Sequence, residues 1–234
     1  MPLEQLLPFL QERGHVVSLV GGGGKTTLMF AMARLRAAKG WRVLVSTTTH
    51  IRQPKTGFVQ TMEERNALWN AKKYAVTGLP AENGKLKMLP PELLRRWMED
   101  ADLVLLEADG AKCLPCKAPA AHEPVLLPES DVLLAVAGLS AGGRQLKEVC
   151  FRLETACSLL DATPDTLLTP PLLAKLLASD TGGRKDACER DFYAVLNQAD
   201  TPERIAFGEE TQQILQERYA VKSILTAFEE GERA

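Results

Sequence analysis

No apolar run in this sequence approaches the ~18 residues that a membrane-spanning helix requires. The longest, Leu103–Leu106 and Val132–Ala137, have the length of strands. Charge of neither sign is in excess: 28 Lys and Arg stand against 30 Asp and Glu, a formal net charge of −2. That balance leaves no basic stripe for a nucleic-acid backbone and no polybasic segment for an acidic membrane, so neither is expected as a partner. Cysteine is scarce and odd in number, at five, without the density of a disulfide framework. Met1-Pro2-Leu3-Glu4 carries an acid where a signal peptide would carry basic residues. A reduced, cytoplasmic protein is the expectation. Internal repeats and low-complexity tracts are absent too. What is present is an ordinary globular composition, 45% hydrophobic and 25% charged over 234 residues. That length suits one α/β domain spanning 1–234.

Short apolar runs alternate with helical patterns. His15–Gly21 reads as a buried strand, Lys25–Lys39 as an Ala-, Leu-, Met- and Arg-rich helix stopped by Gly40, and Arg42–Thr49 as the next strand. Strand, helix and strand in so short a span make a βαβ unit and favour a parallel sheet. Lys73–Thr77 is predicted as a strand, with Asn83-Gly84 as a turn and Lys85–Leu89 as a hairpin partner. Further on come a helix at Glu92–Glu99 and strands at Asp102–Asp109 and Val132–Ala137. Residues 145–179 read mostly as helix, broken at Pro170-Pro171. Phe192–Leu196 and Ala220–Leu225 are strands, with helices at Pro202–Phe207 and Glu209–Arg218 between them. The expected fold class is α/β: a three-layer, P-loop NTPase-like domain with a mainly parallel sheet of about seven strands. The stretches at about 53–90 and 110–130 are its embellishments.

The sharpest motif is Gly21-Gly22-Gly23-Gly24-Lys25-Thr26-Thr27, after a strand and opening a helix. Glycines let backbone N–H groups face an anion, and the helix that follows adds free N–H groups and its positive dipole end. Lys25 is expected to reach the β and γ phosphates of a nucleotide, and the Thr26 hydroxyl to meet Mg²⁺. The standard Walker A spacing fails, because Leu19 stands where its first glycine belongs. The shorter form Gly21-x-x-Gly24-Lys25-Thr26 resembles the compact loops of Mur-ligase-type enzymes, and Thr26-Thr27 is similar to the pair in SIMIBI-class NTPases.

The other walls of such a site lie at the carboxyl ends of neighbouring strands. Asp102–Asp109 ends in Glu107-Ala108-Asp109, the Walker B pattern of an apolar strand tipped by acid. Asp109 is the first candidate for the metal, and Glu107 the second, for metal or water positioning. Thr47-Thr48-Thr49 ends another strand, either as ordinary β-formers or facing phosphate or the metal's water shell. His50 and His122 are candidates for acid–base work or for a metal, and Arg144 and Arg152 for phosphate. Asn197-Gln198-Ala199-Asp200 resembles the Asn-Lys-x-Asp guanine motif of GTPases, with Gln198 in place of the lysine. A carboxylate at Asp200 accepts from guanine N1–H and its exocyclic amine, a donor pair adenine lacks. GTP is favoured, with ATP as the alternative. Cys113-Leu114-Pro115-Cys116 is a single CxxC pair, either redox-active or two plain loop thiols.

Three segments, Val16–Ile51, Leu105–Pro128 and Val195–Asp200, resemble the YqeC family, accessory proteins linked to selenium-dependent molybdenum hydroxylases and to selenium cofactor biosynthesis. The resemblance implies a nucleotide-binding maturation factor whose partner is a molybdenum hydroxylase or a selenium donor, and it brings no catalytic residues with it. Three functions follow as expectations: a Mg²⁺-dependent NTPase; a transferase or ligase that activates a small acid or selenium compound; and a nucleotide-gated chaperone without turnover.

Overall fold

Strands apolar on both faces must be covered on both faces, and a parallel sheet with crossover helices achieves this. The computed structural model describes residues 2–228. In chain order its helices and strands are α1 (Leu3–Leu6), β1 (His15–Gly21), α2 (Lys25–Ala38), β2 (Val43–Thr47), β3 (His50–Arg52), α3 (Met62–Asn70), β4 (Ala75–Val76), β5 (Leu79–Ala81), β6 (Lys85–Lys87), α4 (Pro91–Met98) and β7 (Leu103–Glu107). They continue with β8 (Cys116–Lys117), β9 (Val132–Gly138), α5 (Leu146–Val149), β10 (Cys150–Phe151), α6 (Leu153–Leu160), α7 (Pro170–Ala178), β11 (Asp191–Asn197), α8 (Pro202–Tyr219) and β12 (Lys222–Thr226).

Seven strands form one sheet in the order β12-β11-β9-β1-β7-β2-β4, and its pairings are all parallel. Side chains alternate across it, as the pleat demands. Val17, Leu19, Val45, Leu105 and Leu134 face Leu28, Met29 and Met32 of α2. On the other side Leu133, Ala135 and Leu196 meet Leu160, Leu173, Leu177 and Leu215 from α6, α7 and α8. Leu44, Val104 and Leu106 meet Trp69 of α3 and Trp97 of α4. The result is the three-layer, P-loop NTPase-like α/β architecture expected, with β1 at its centre.

Local chemistry sets the helix ends. Gly40 takes φ +83° after α2 and donates its N–H to Ala37 O. Thr61 and Glu64 form a reciprocal capping box on α3. Thr201 accepts from Arg204 N–H at 3.3 Å, with Pro202 as the first residue of α8.

Several boundaries differ from the sequence reading. Pro202–Tyr219 is one helix, not two: Gly208 is buried, and its missing side chain leaves room for Leu225 and Leu139. Residues 145–179 hold three helices and the short strand β10; Pro170 and Pro171 open α7 rather than break a helix. The hairpin at Asn83-Gly84 joins β6 to β5, not to the Lys73–Thr77 strand. That strand shortens to β4 and pairs in parallel with β2 at the edge of the main sheet. β3, β6 and β5 form a separate antiparallel sheet.

Candidate functional site

In an open parallel sheet the crevice lies beyond the carboxyl ends of the strands. There β1 runs into the glycine loop, whose amides divide into two sets. Gly21 N–H donates to Asp109 Oδ2 (2.9 Å), Gly22 N–H to Val136 O (2.8 Å) and Gly23 N–H to Leu114 O (3.1 Å). Gly24 through Thr27 have no such acceptor among the described residues; the first bond of α2 runs from Leu28 N–H to Gly24 O at 3.0 Å. So Gly21, Gly22 and Gly23 shape the loop, while Gly24, Lys25, Thr26 and Thr27 present open N–H groups at the positive end of α2. Gly24 has φ +113°, and a Cβ there would collide with Asn197 Nδ2, so this corner admits only glycine.

Lys25 is almost wholly buried and donates from Nζ to Gly21 O at 2.5 Å. The same Nζ lies 3.0 Å from Asp109 Oδ1 and 4.0 Å from Glu107 Oε1. Thr26 Oγ1 donates to Glu107 Oε2 at 2.9 Å. The loop and β7 thus meet through four side chains. Burial pushes the Glu107 carboxyl above its ordinary range; Lys25 and the Thr26 hydroxyl oppose that shift and Asp109 adds to it. Asp109 Oδ1 is buried and ion-paired but accepts no hydrogen bond. Hard oxygen donors with one unused lone pair fit Mg²⁺. Among the described residues no three His, Cys, Asp or Glu side chains form a metal cage. Mg²⁺ characteristically takes one or two carboxylates and completes its shell with phosphate and water.

One further group at the site escapes a reading of the sequence. The Lys117 side chain is fully buried, with Nζ 2.9 Å from Asp109 Oδ2 and 2.8 Å from Glu123 Oε2. Glu123 Oε2 also accepts from Arg152 Nε and from Ala120 N–H, each at 3.1 Å. Charges therefore alternate from the loop inward: Lys25, Asp109, Lys117, Glu123, Arg152. Burial alone would raise the Glu123 carboxyl, but Lys117, the Ala120 amide and Arg152 outweigh it and hold the group down at about 2. A lysine in a Pro-rich loop looks solvated in sequence. Only the pairing of β8 with β10, Cys116 opposite Cys150 and Lys117 opposite Phe151, takes it inside.

On the other side of the loop Asn197 Nδ2 donates to Gly23 O at 2.8 Å, and Asn197 Oδ1 accepts from Thr226 Oγ1 at 2.9 Å. Gln198 takes φ +69°, and its Oε1 accepts from Ser140 Oγ at 2.6 Å. Asp200 pairs with Arg204 one helical turn on. A cleft of about 270 Å³ joins Gly24 and Thr27 to Ser140, Gln198, Asp200 and Arg204.

Other candidates have structural partners. Thr47 Oγ1 donates to Glu107 O and Thr48 Oγ1 to Val125 O. Arg144 pairs with Glu148, and Arg152 with Glu123. His50 and His122 are exposed, His50 on the separate small sheet. Cys113 is exposed and Cys116 buried. The Cys116 thiol is pushed up by its hydrogen bond to Cys150 and by burial, so the CxxC spacing does not present two reactive thiols side by side.

A glycine loop between the central strand and a helix, closed by Lys25 and an acid-tipped neighbouring strand, defines a P-loop NTPase-like α/β protein. The comparisons narrow this. The model of the YqeC protein family matches residues 17–154. The uncharacterized protein YqeC of Escherichia coli (strain K12) is 31% identical over 195 residues, which cover 78% of this chain and 76% of that protein. The chain belongs to the YqeC family. Two solved structures are distantly alike. HypB from Helicobacter pylori in complex with nickel is 12% identical with a TM-score of 0.44, covering 96% of this chain and 84% of that one. The hydrogenase maturation factor HypB from Archaeoglobus fulgidus is 14% identical with a TM-score of 0.43, covering 96% and 87%.

Proposed function

We propose that this chain binds a Mg²⁺–nucleoside triphosphate with preference for GTP, hydrolyses it, and serves as a maturation factor for selenium-dependent molybdenum hydroxylases. The observation that carries the nucleotide reading is the row of open amides at Gly24–Thr27. Lys25, Thr26, Glu107 and Asp109 meet one another beside it, and a cleft lined by Gly24, Thr27, Gln198 and Asp200 opens on it. The accessory role, with a molybdenum hydroxylase or a selenium-donor protein as partner, rests on the resemblance of the family.

In this reading the triphosphate lies along the N-terminus of α2. Lys25 exchanges Gly21 O for the β and γ phosphates, where its charge offsets what develops on the transferred phosphoryl. Thr26 and Asp109 would hold Mg²⁺, which would supply charge neutralisation, with Glu107 beside them to orient the attacking water. Asp200 reads the base, and Asn197 braces the loop from the same strand end.

A thermal-shift panel of ATP, GTP, ADP and GDP, each with and without Mg²⁺, tests the proposal. The expected result is the largest stabilisation by Mg²⁺–GTP, lost in Lys25→Ala. Equal shifts for the wild type and Lys25→Ala, or no shift with any nucleotide, would refute it. A phosphorylated acceptor in place of free phosphate would move the reaction to a transferase or ligase.

A further inference from the structure

The antiparallel sheet β3–β6–β5 buries Ile51 and Leu86 on one face and turns His50, Arg52, Lys85 and Lys87 to solvent on the other. The register sets Arg52 opposite Lys85 and His50 opposite Lys87. Cationic side chains directly opposite one another destabilise a sheet. Among the described residues, none of the four forms an ion pair or a side-chain hydrogen bond. Some exposed cations elsewhere do have acids: Arg95 pairs with Glu92 and Glu129, Lys147 with Asp165, and Arg144 with Glu148. The cluster opens on a groove of about 690 Å³, in which Glu82 is the sole acid.

We propose that this face docks an acidic, extended segment of a partner protein. The Arg52–Lys85 row and the His50–Lys87 row are two residues apart along each strand, roughly 7 Å, so each row carries at least one lysine or arginine. Alternate side chains of an extended chain project to one side at that same interval. Glu or Asp at every second position of the partner therefore meets both rows, with a carboxylate over each. The arrangement is open and lacks the converging backbone donors of a small-anion pocket. A carboxylate over the Arg52–Lys85 pair offsets the repulsion built into the sheet. β3 begins just beyond Thr47 at the end of β2, so the docked segment lies on the same edge of the fold as Glu107 and Asp109, although this inference does not depend on nucleotide binding.

The probe is a rhodamine-labelled peptide of alternating Glu and Thr, followed by fluorescence anisotropy with full-length protein at low and at physiological salt. Binding is expected, with affinity that falls as salt rises. Arg52→Gln/Lys85→Gln/Lys87→Gln should weaken it by about tenfold. Neutralisation of three exposed cations elsewhere, Lys72→Gln/Lys73→Gln/Arg218→Gln, should change it less than twofold. The thermal midpoint of the first triple variant should equal or exceed that of the wild type, because repulsion is relieved. Equal weakening in both triple variants, unaltered binding in the first, or tighter binding of an oligouridylate than of the peptide would each overturn the proposal. So would a concentration-dependent dimer that the first triple variant abolishes, since the acidic partner would then be a second copy of this chain.

Discussion

The two halves of the proposed nucleotide site, a phosphate side and a base side, are built on opposite electrostatic plans. On the phosphate side Lys25, Asp109, Lys117 and Glu123 are buried and form one unbroken run of alternating charge. On the base side Asp200 and Arg204 are about a third exposed and form a single pair at the mouth of a cleft. A buried charge without its partner is costly, whereas an exposed pair contributes about 1 kcal/mol or less. Stability and general phosphate affinity should therefore be coupled on the first side, and base choice should vary independently of the fold on the second.

The largest effect should come from the middle of the buried run. Lys117→Met removes the cation between Asp109 and Glu123, which keep only Lys25 and Arg152 on their far sides, a loss of about 3 kcal/mol in urea denaturation. Addition of Glu123→Gln should restore much of that stability. If Lys117→Met proves neutral, the contrast between the halves collapses. Acid gives the next effect. Glu123 is held at about 2 against an ordinary 4.5, so its contribution is fully present above pH 4.5 and is lost as pH falls toward 2. That is about 3 kcal/mol, seen as a steep acid limb that Glu123→Gln flattens.

Glu107 should behave in the opposite sense. Its carboxyl is raised by burial, so its ionised form costs stability above the ordinary carboxylate range. Glu107→Gln should stabilise the ligand-free protein by about 1 kcal/mol, read as a higher thermal midpoint, while the Mg²⁺-dependent part of the nucleotide shift shrinks. The smallest effect on the fold belongs to the base side. Asp200→Asn should change stability by under about 1 kcal/mol and lower the GTP-to-ATP affinity ratio by about tenfold. A preserved ratio would remove Asp200 from base recognition and leave the phosphate side untouched.

Much of the fold is legible from local pattern. His15–Gly21 and the start of the following helix at Lys25 fall where hydrophobic runs and glycines place them, because both signals are contained within a few residues. The placement of Glu107 and Asp109 beside the loop follows from the rule for open parallel sheets. The partners of Lys85–Lys87 and the single helix through Gly208 were not legible. Pairing choice and tolerance of a helical glycine depend on what packs against them from distant segments.

By itself, the sequence determined the parallel βαβ frame, the glycine loop with Lys25 and Thr26, and the acid-tipped strand, since periodicity, glycine freedom and capping act over a few residues. Tertiary structure alone decided which loop amides remain open. It also decided that Lys117 joins Asp109 to Glu123, and that Arg52, Lys85 and Lys87 share one face of a small sheet with His50. Hydrogen bonding, burial and charge pairing are properties of atoms brought together across the chain, and no local spacing encodes them.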